Sequence, residues 1–461
     1  MNTKNLTEGS PSRLLLFFSL PLMMGNIFQQ LYTVVDTAVV GKVLGVNALA
    51  ALGTVEWLNW LALGMIQGFT QGFCILMAQR FGAQDYKGLR RVVTNSLFLS
   101  VLCAIALTFC CEGLIGTATE LLRVPGEIRP MAVAYLRIMF GGIPIVMAYN
   151  LAASVLRALG DGKTPLLAMV VAAFTNIGLD FLFVMGFGWG VEGAAIATLI
   201  AQCLSAVYCF FHLRKIQILK LSREDWTIEK PLCLHLMGLG LPMAFQNSVI
   251  AVGGMIVQMI VNGFGVAFIA GLTATNRLYG LLEVAATSYG YAMVTYTGQN
   301  LGAGKLPRIS KGLRAALMIS TITSLLIALV MLVFGRLILS CFISMDAAES
   351  MAALDIGYRY LAIMSVFLPI LYVLHVTRSC IQGLGNTLLP MVSGIAEFVM
   401  RTAAAFLLPA MFGENGILFA EILAWAGADL ILIPSYFYMI KKVRRTHSCS
   451  DCGEKSGKIT I

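Results

Sequence analysis

Long apolar stretches recur along the chain, separated by short clusters of charge. A helix needs roughly 20 apolar residues to cross the hydrocarbon core of a bilayer. The pattern predicts twelve membrane-spanning helices, starting near Leu14, Ala48, Val92, Met131, Pro165, Val191, Leu236, Ala267, Leu313, Tyr358, Leu388 and Ile417. Lys4 and Arg13 precede the first run, as basic residues do in a signal peptide. The run from Leu14 to Val40 is longer than a signal core, however, and no small-residue cleavage site follows, so it reads as a retained span. The spans divide the chain into an N-terminus (1–13), an N-lobe of six spans (14–213), a linker (214–235), a C-lobe of six spans (236–440) and a tail (441–461).

The two sets of six spans repeat each other. Ala78-Gln-Arg-Phe-Gly-Ala-Gln-Asp85 follows the second span, and Gly298-Gln-Asn-Leu-Gly-Ala-Gly-Lys305 follows the eighth. Arg157-Ala-Leu-Gly-Asp161 ends the fourth, and Gln382-Gly-Leu-Gly-Asn386 ends the tenth. Leu20-Pro21 opens the first span as Leu241-Pro242 opens the seventh, and Gly190-Val-Glu-Gly193 matches Gly413-Glu-Asn-Gly416. The offset stays between 220 and 225 residues. Six spans separate the copies, so both halves enter the membrane from one side, as parallel repeats with a pseudo-two-fold axis along the membrane normal. Such repeats suit a secondary transporter that alternates access to a central cavity. A channel would more often be an oligomer with a filter motif, and the chain has no filter-like run of glycines.

Composition supports this reading. The chain is 461 residues long, 58% apolar and 12% charged, with a mean hydropathy of +0.84. That excludes a soluble enzyme, a disordered chain and a disulfide scaffold. The net charge of +9 is topological. Most Lys and Arg fall in one set of loops, around Arg80–Arg91, Arg157–Lys163, Arg214–Lys230, Lys305–Arg314, Arg378 and Lys441–Lys458. The opposite side holds Lys42, Arg123, Arg129, Arg137, Arg336 and Arg359. The positive-inside rule puts both termini in the cytoplasm and makes the protein a multi-pass protein of the cell membrane. Its charged partner is then the lipid headgroups rather than nucleic acid. Seven of the eleven cysteines, Cys341 among them, sit in apolar runs as small hydrophobes. Cys449 and Cys452, beside His447, form one CxxC without a second pair, which does not make a metal site.

Ionisable residues within spans are expensive and face a cavity or a partner. Here they are Asp36, Glu56, Asp180, Arg277, Glu283, His375, Glu397, Arg401, Glu421 and Asp429. Asn176 lies four residues before Asp180, on the same helical face. Asp36, Asn176, Asp180 and Thr198 are expected at similar depth in one lobe. Such a set of oxygens can bind Na+, or one of the two acids can carry a proton. The repeat puts Val257 opposite Asp36, Arg401 opposite Asn176, Ala405 opposite Asp180 and Glu421 opposite Thr198, so the C-lobe lacks the acid pair. Glu397 and Arg401, spaced i,i+4, are expected to pair as a structural or gating element, with Glu421 near Arg401. Glu56, Glu283, Asp429 and His375 have no assigned role.

These motifs, together with Asp36-Thr-Ala-Val-Val-Gly41 and Arg157-Ala-Leu-Gly-Asp-Gly162 followed by Lys163-Thr-Pro165, resemble the multidrug and toxic compound extrusion family over residues 14–440, and within it the DinF branch. The resemblance implies two six-helix lobes around a V-shaped cavity. It also implies antiport of organic, often cationic and amphipathic, compounds against H+ or Na+, with no other cofactor. It assigns coupling to Asp36, Asn176, Asp180 and Thr198, places Tyr135 and Asn150 in the cavity, and makes Pro21 the bend of the first helix. Gln30 and Gln246 join the cavity candidates. Spans seven and ten lack the acids that the NorM branch uses. Small organic substrates and a monomeric protein are expected. A flippase for lipid-linked sugars of similar architecture is the alternative, and a passive channel a weaker one. An enzyme is not expected: Gly162-Lys163-Thr164 lacks the upstream glycine of a phosphate loop, and Ala286-Thr-Ser-Tyr-Gly290 lacks the first glycine of a nucleophile elbow.

Overall fold

The structure is a computed structural model that describes residues 4–122, 124–340 and 348–453. Arg123, Cys341, Lys455 and Lys458 lie outside the described residues, as do the side chains of His447, Cys449 and Cys452. The described chain holds thirteen α-helices and no strand. They are α1 (Pro11–Leu44), α2 (Val46–Gly82), α3 (Tyr86–Leu121), α4 (Arg129–Gly141), α5 (Ile143–Ala158), α6 (Lys163–Asp180), α7 (Gly190–Arg214), α8 (Lys230–Val261), α9 (Val266–Gly302), α10 (Leu306–Ser340), α11 (Ala348–Gly383), α12 (Leu388–Phe412) and α13 (Ala420–Gly453).

Thirteen helices make twelve passes, because α4 and α5 meet at a 45° bend and form one broken span. The break falls at Gly141-Gly142 with Pro144 behind it. Two glycines and a proline that cannot donate a backbone hydrogen bond account for the kink. Ten helices are long and apolar enough to cross a bilayer, and the bent pair makes an eleventh. The twelfth pass, α9, has 37 residues but carries Asn276, Arg277 and Glu283. Many apolar side chains point outward, Phe109 and Leu430 at 75% exposure among them. With lipid as the solvent this incurs no hydrophobic penalty, and the chain is a multi-pass membrane protein. Helix α8 starts six residues before the span expected at Leu236, and α13 continues through much of the expected tail.

Helices α1–α7 form one lobe and α8–α13 the other. They meet along α2 with α8 and α1 with α9, two pairs that the repeat interchanges, and along α2 with α9, which it maps onto itself. Glycine permits the first approach. A Cβ on Gly72 would collide with the backbone of Gly240, and one on Gly68 with the backbone of Ala244. Equivalent asparagines cross both seams. Asn247 donates to the Gly64 carbonyl (2.9 Å) and Asn26 to the Ser288 hydroxyl (3.2 Å).

The repeated sequence motifs meet at the basic face. Gln79 donates to the Gly383 carbonyl of the other lobe (3.2 Å), and its repeat mate Gln299 donates to the Ala158 carbonyl (2.8 Å). Gly160 and Gly385 are both left-handed, at φ 76° and 86°. Each is followed by an Asx cap: Asp161 accepts the Thr164 amide and Asn386 the Leu389 amide, both at 3.0 Å. A turn that only glycine enters cheaply, followed by a cap, explains why this motif occurs in both halves. Residues 4–9 cover the seam: Lys4 donates its amide to Leu159, Leu6 donates its amide to Gln299, and Asn300 donates to the Leu6 carbonyl. The basic face is therefore closed.

Two residues counted among the basic loops lie elsewhere. Arg378 is 7% exposed inside the C-lobe, and Arg157 is half-buried between the lobes. Both occupy the last turns of a helix, where a long side chain can fold inward.

Candidate functional site

In the N-lobe, α1 packs on α6 and α6 on α7. This brings Asp36, Asn176, Asp180 and Thr198 together. Asp36 is 8% exposed, and Asn176 and Asp180 are fully buried. Asn176 donates to the Thr198 hydroxyl at 3.3 Å. The Asp36 and Asp180 carboxylates are close enough to interact electrostatically, and both act on Tyr135 of α4. Asp180 ends α6, and the chain continues as one π-helical turn, Phe181–Gly186. Such turns displace the backbone hydrogen-bond register and frequently lie at functional sites.

Two further members of the cluster were not among the expected residues. Tyr32 of α1 is buried, and Gln202 of α7 donates to its hydroxyl at 3.2 Å. Helical spacing carries a signal for both: Tyr32 is one turn before Asp36, and Gln202 one turn after Thr198.

Five buried oxygens here accept no hydrogen bond from the described protein: Oδ1 of Asp36, Oδ1 of Asn176, both carboxylate oxygens of Asp180 and Oε1 of Gln202. All five are acceptors, and no Lys or Arg forms an ion pair with either acid among the described residues. Buried acceptors without donors are costly. Protons or a hard cation with oxygen ligands satisfy them.

The cavity candidates divide. Tyr135 packs beside the acids on the apolar cluster around Val39, Val40 and Val184. Asn150 is nearly buried and donates to the Val146 carbonyl of its own helix (2.9 Å). Gln30 faces Gly280 of α9 across the lobe seam. Gln246 is 2% exposed and packs on Gly394 of α12, so in this conformation it presents almost no surface to a cavity. Pro21 lies within an unbroken α1.

The C-lobe arranges its charge differently. Glu397 and Arg401 pair at 3.0 Å, as their spacing predicts, and Glu421 joins Arg401 at 2.8 Å. Arg378 takes the second Glu397 oxygen at 2.7 Å. Arg401 also donates to the Ile250 carbonyl. His375 lies 3.4 Å from Glu283, giving two unassigned residues a partner. Asp429 is buried beside Arg378 and Glu397, with one oxygen unpartnered. Glu56 and Arg277 are exposed on α2 and α9. Among the described residues no three His, Cys, Asp or Glu form a metal-binding group.

The family model MatE matches residues 21–182 and 242–407, one segment in each lobe. A probable multidrug resistance protein of Bacillus subtilis (strain 168), YpnP, is 30% identical over 90% of this chain and 93% of its own. The probable multidrug resistance protein NorM of Thermotoga maritima is 26% identical over 90% of this chain and 89% of its own. Among solved structures, a crystal structure of MATE in complex with MaL6 superimposes with a TM-score of 0.90 at 22% identity, covering 96% of this chain and all of that one. An outward-facing MATE family transporter of the MOP superfamily superimposes at 0.89, also at 22% identity, covering 96% of this chain and 99% of that one.

Proposed function

The chain belongs to the MatE family, and from that membership we propose that it is a secondary antiporter exporting small organic compounds, amphipathic cations among them, against inward H+ or Na+ flow. The relatives' names, multidrug resistance and export proteins, support the transport of drugs. The basic face is read as cytoplasmic and the protein as a monomer in the cell membrane. The closed basic face then excludes an inward-open state.

The observation that carries ion coupling is the cluster of five unpartnered oxygens around Asp36 and Asp180. An occupant with positive charge relieves both the repulsion between the acids and their unmet acceptors. Its arrival or departure changes the charge of the α1–α6–α7 seam, and helix packing responds in discrete steps. Pro21 offers α1 a place to bend, because the residue one turn before it has no amide to bond. Asn176, Thr198 and Gln202 supply neutral oxygens, and Tyr135 closes one side. The acids thus serve the N-lobe mode of the DinF-like branch.

Proteoliposomes test this. An inward-directed substrate dye accumulates when a pH or a Na+ gradient is imposed alone, and the gradient that works names the ion. Failure of both gradients to drive accumulation by the folded protein contradicts the reading.

A further inference from the structure

Near the closed basic face a small cleft of about 10 Å³ lies between the lobes. Gln71 and Cys74 of α2, Arg157 of α5, and Tyr291, Val294 and Thr295 of α9 line it. It has room for roughly one water-sized body, or for the oxygen end of a larger one. Arg157 lies over the Tyr291 ring, with the guanidinium carbon 4.6 Å from the ring centre. Stacking occupies the face of the guanidinium and leaves its N–H groups free in the plane. One goes to the Ser154 hydroxyl at 2.8 Å.

No carboxylate pairs with Arg157 among the described residues. The nearest acid in sequence, Asp161, is committed elsewhere: it accepts the amides of Lys163 and Thr164 and the Thr164 hydroxyl. A second lining group is also unmet. Thr295 is 1% exposed, and its hydroxyl has no hydrogen-bond partner among the described residues. The repeat mate of Arg157 is the neutral Gln382, so the fold itself does not demand a cation here. The Asp36 and Asp180 cluster lies at the far ends of α1 and α6 and does not neutralise it.

We propose that this cleft is an anion-accepting subsite at the inner end of the transport path, binding the carboxylate of an amphiphilic substrate or a free chloride ion. The in-plane N–H groups of Arg157 and the Thr295 hydroxyl are its donors. Its place on a transport path rests on the export reading, but its anion binding does not. The substrate range then includes zwitterionic and acidic amphiphiles alongside cations. A guanidinium prefers a carboxylate to its ester because the pairing is charge-assisted.

The test is equilibrium binding, by fluorescence anisotropy, of a carboxylated xanthene dye and its methyl ester to the full chain purified in detergent. Arg157→Gln is expected to weaken the acid at least about tenfold and the ester less than about twofold. Arg157→Lys keeps part of the acid preference, and Thr295→Val weakens the acid alone by about threefold. Retained ester binding shows that each variant is folded. Repeating the titration with chloride replaced by methanesulfonate separates the sources. Tighter acid binding identifies chloride as a competitor in the cleft, and unchanged binding identifies the organic carboxylate as its occupant. Absence of acid binding by the natural chain, or equal losses for both dyes in Arg157→Gln, overturns the proposal. Failed gradient-driven transport with intact acid preference counts against the export reading alone.

Discussion

The two lobes place the same pair of contacts at equivalent positions and fill them with different chemistry. Asn176 meets Thr198 in the N-lobe at 3.3 Å; Arg401 meets Glu421 in the C-lobe at 2.8 Å. These are the same repeat positions on the same pairs of helices. In the N-lobe the neighbouring acids Asp36 and Asp180 form no ion pair among the described residues. In the C-lobe Glu397 is held between two arginines and Glu421 by one. A buried acid locked to arginine stays charged and still, whereas one without a partner is free to take an occupant from outside. One repeat thus carries a network of ion pairs in one lobe and, in the other, two acids without an ion pair among the described residues; on the proposed reading these are the exchangeable charge.

The largest effect is expected from removing that exchangeable charge. Asp36→Asn and Asp180→Asn should each reduce gradient-driven dye accumulation in proteoliposomes to the level of empty vesicles. Asp429→Asn is the control in the other lobe, a buried acid with an unpartnered oxygen of its own, and it should retain accumulation. Loss of accumulation in Asp429→Asn would move coupling into the C-lobe.

Stability should show the reverse order. Glu397→Gln leaves Arg378 and Arg401 without their shared counter-ion, and removing one member of a buried pair costs about 3–5 kcal/mol. Its melting temperature in detergent should fall clearly, while Asp180→Asn melts at or above the natural protein. Equal losses would erase the distinction between the lobes.

A smaller effect is expected from transplanting the N-lobe contact. Arg401→Asn strands Glu421, and Glu421→Thr leaves Arg401 with Glu397 alone. The double variant keeps the Glu397–Arg378 pair and should be more stable than the sum of the single losses by about 1–3 kcal/mol in a double-mutant cycle. Strict additivity would mean that the ion pair contributes nothing.

The smallest effect concerns the linker, where a buried acid is paired outside the membrane-spanning helices. Asp225 accepts from Arg90 (3.0 Å) and from the amide and hydroxyl of Ser222 (2.8 Å each). Burial alone would raise its carboxyl, but these partners outweigh it and hold the group below its ordinary range. The unfolded chain therefore binds the proton more readily. Docking of the linker on α3 is fully supported above the ordinary Asp value of about 3.9 and weakens as pH falls through the lowered one. Cleavage of the linker by an acid-active protease should rise over that window. At neutral pH, Asp225→Asn should be cut faster than the natural chain. A pH-independent cleavage rate would remove Asp225 from the docking.

Much of this was legible in the sequence. Apolar runs located all twelve passes, and the spaced motifs gave the repeat. The pairing of Glu397 with Arg401 follows from helical spacing, and depth along the spans puts Asn176 and Thr198 at one level without showing that they bond. The break between α4 and α5 escaped because the run around Gly141-Gly142 stays apolar, although Pro144 marks it. Arg157 and Arg378 were placed in loops because charge counting records how near a residue lies to a helix end, not which way its side chain turns. Glu283 meets His375 across two helices, and that distance depends on packing that no local spacing encodes. The seal at the basic face likewise depends on residues 4–9 folding back onto Gln299 and Asn300, almost 300 positions away.

The central claim is that Asp180 couples the gradient rather than supporting the fold. Dye exchange without a gradient, measured beside gradient-driven accumulation in the same Asp180→Asn vesicles, tests it most directly. The predicted result is exchange close to that of the natural protein with accumulation abolished. Accumulation that survives, or exchange lost together with it in a folded protein, would contradict the account.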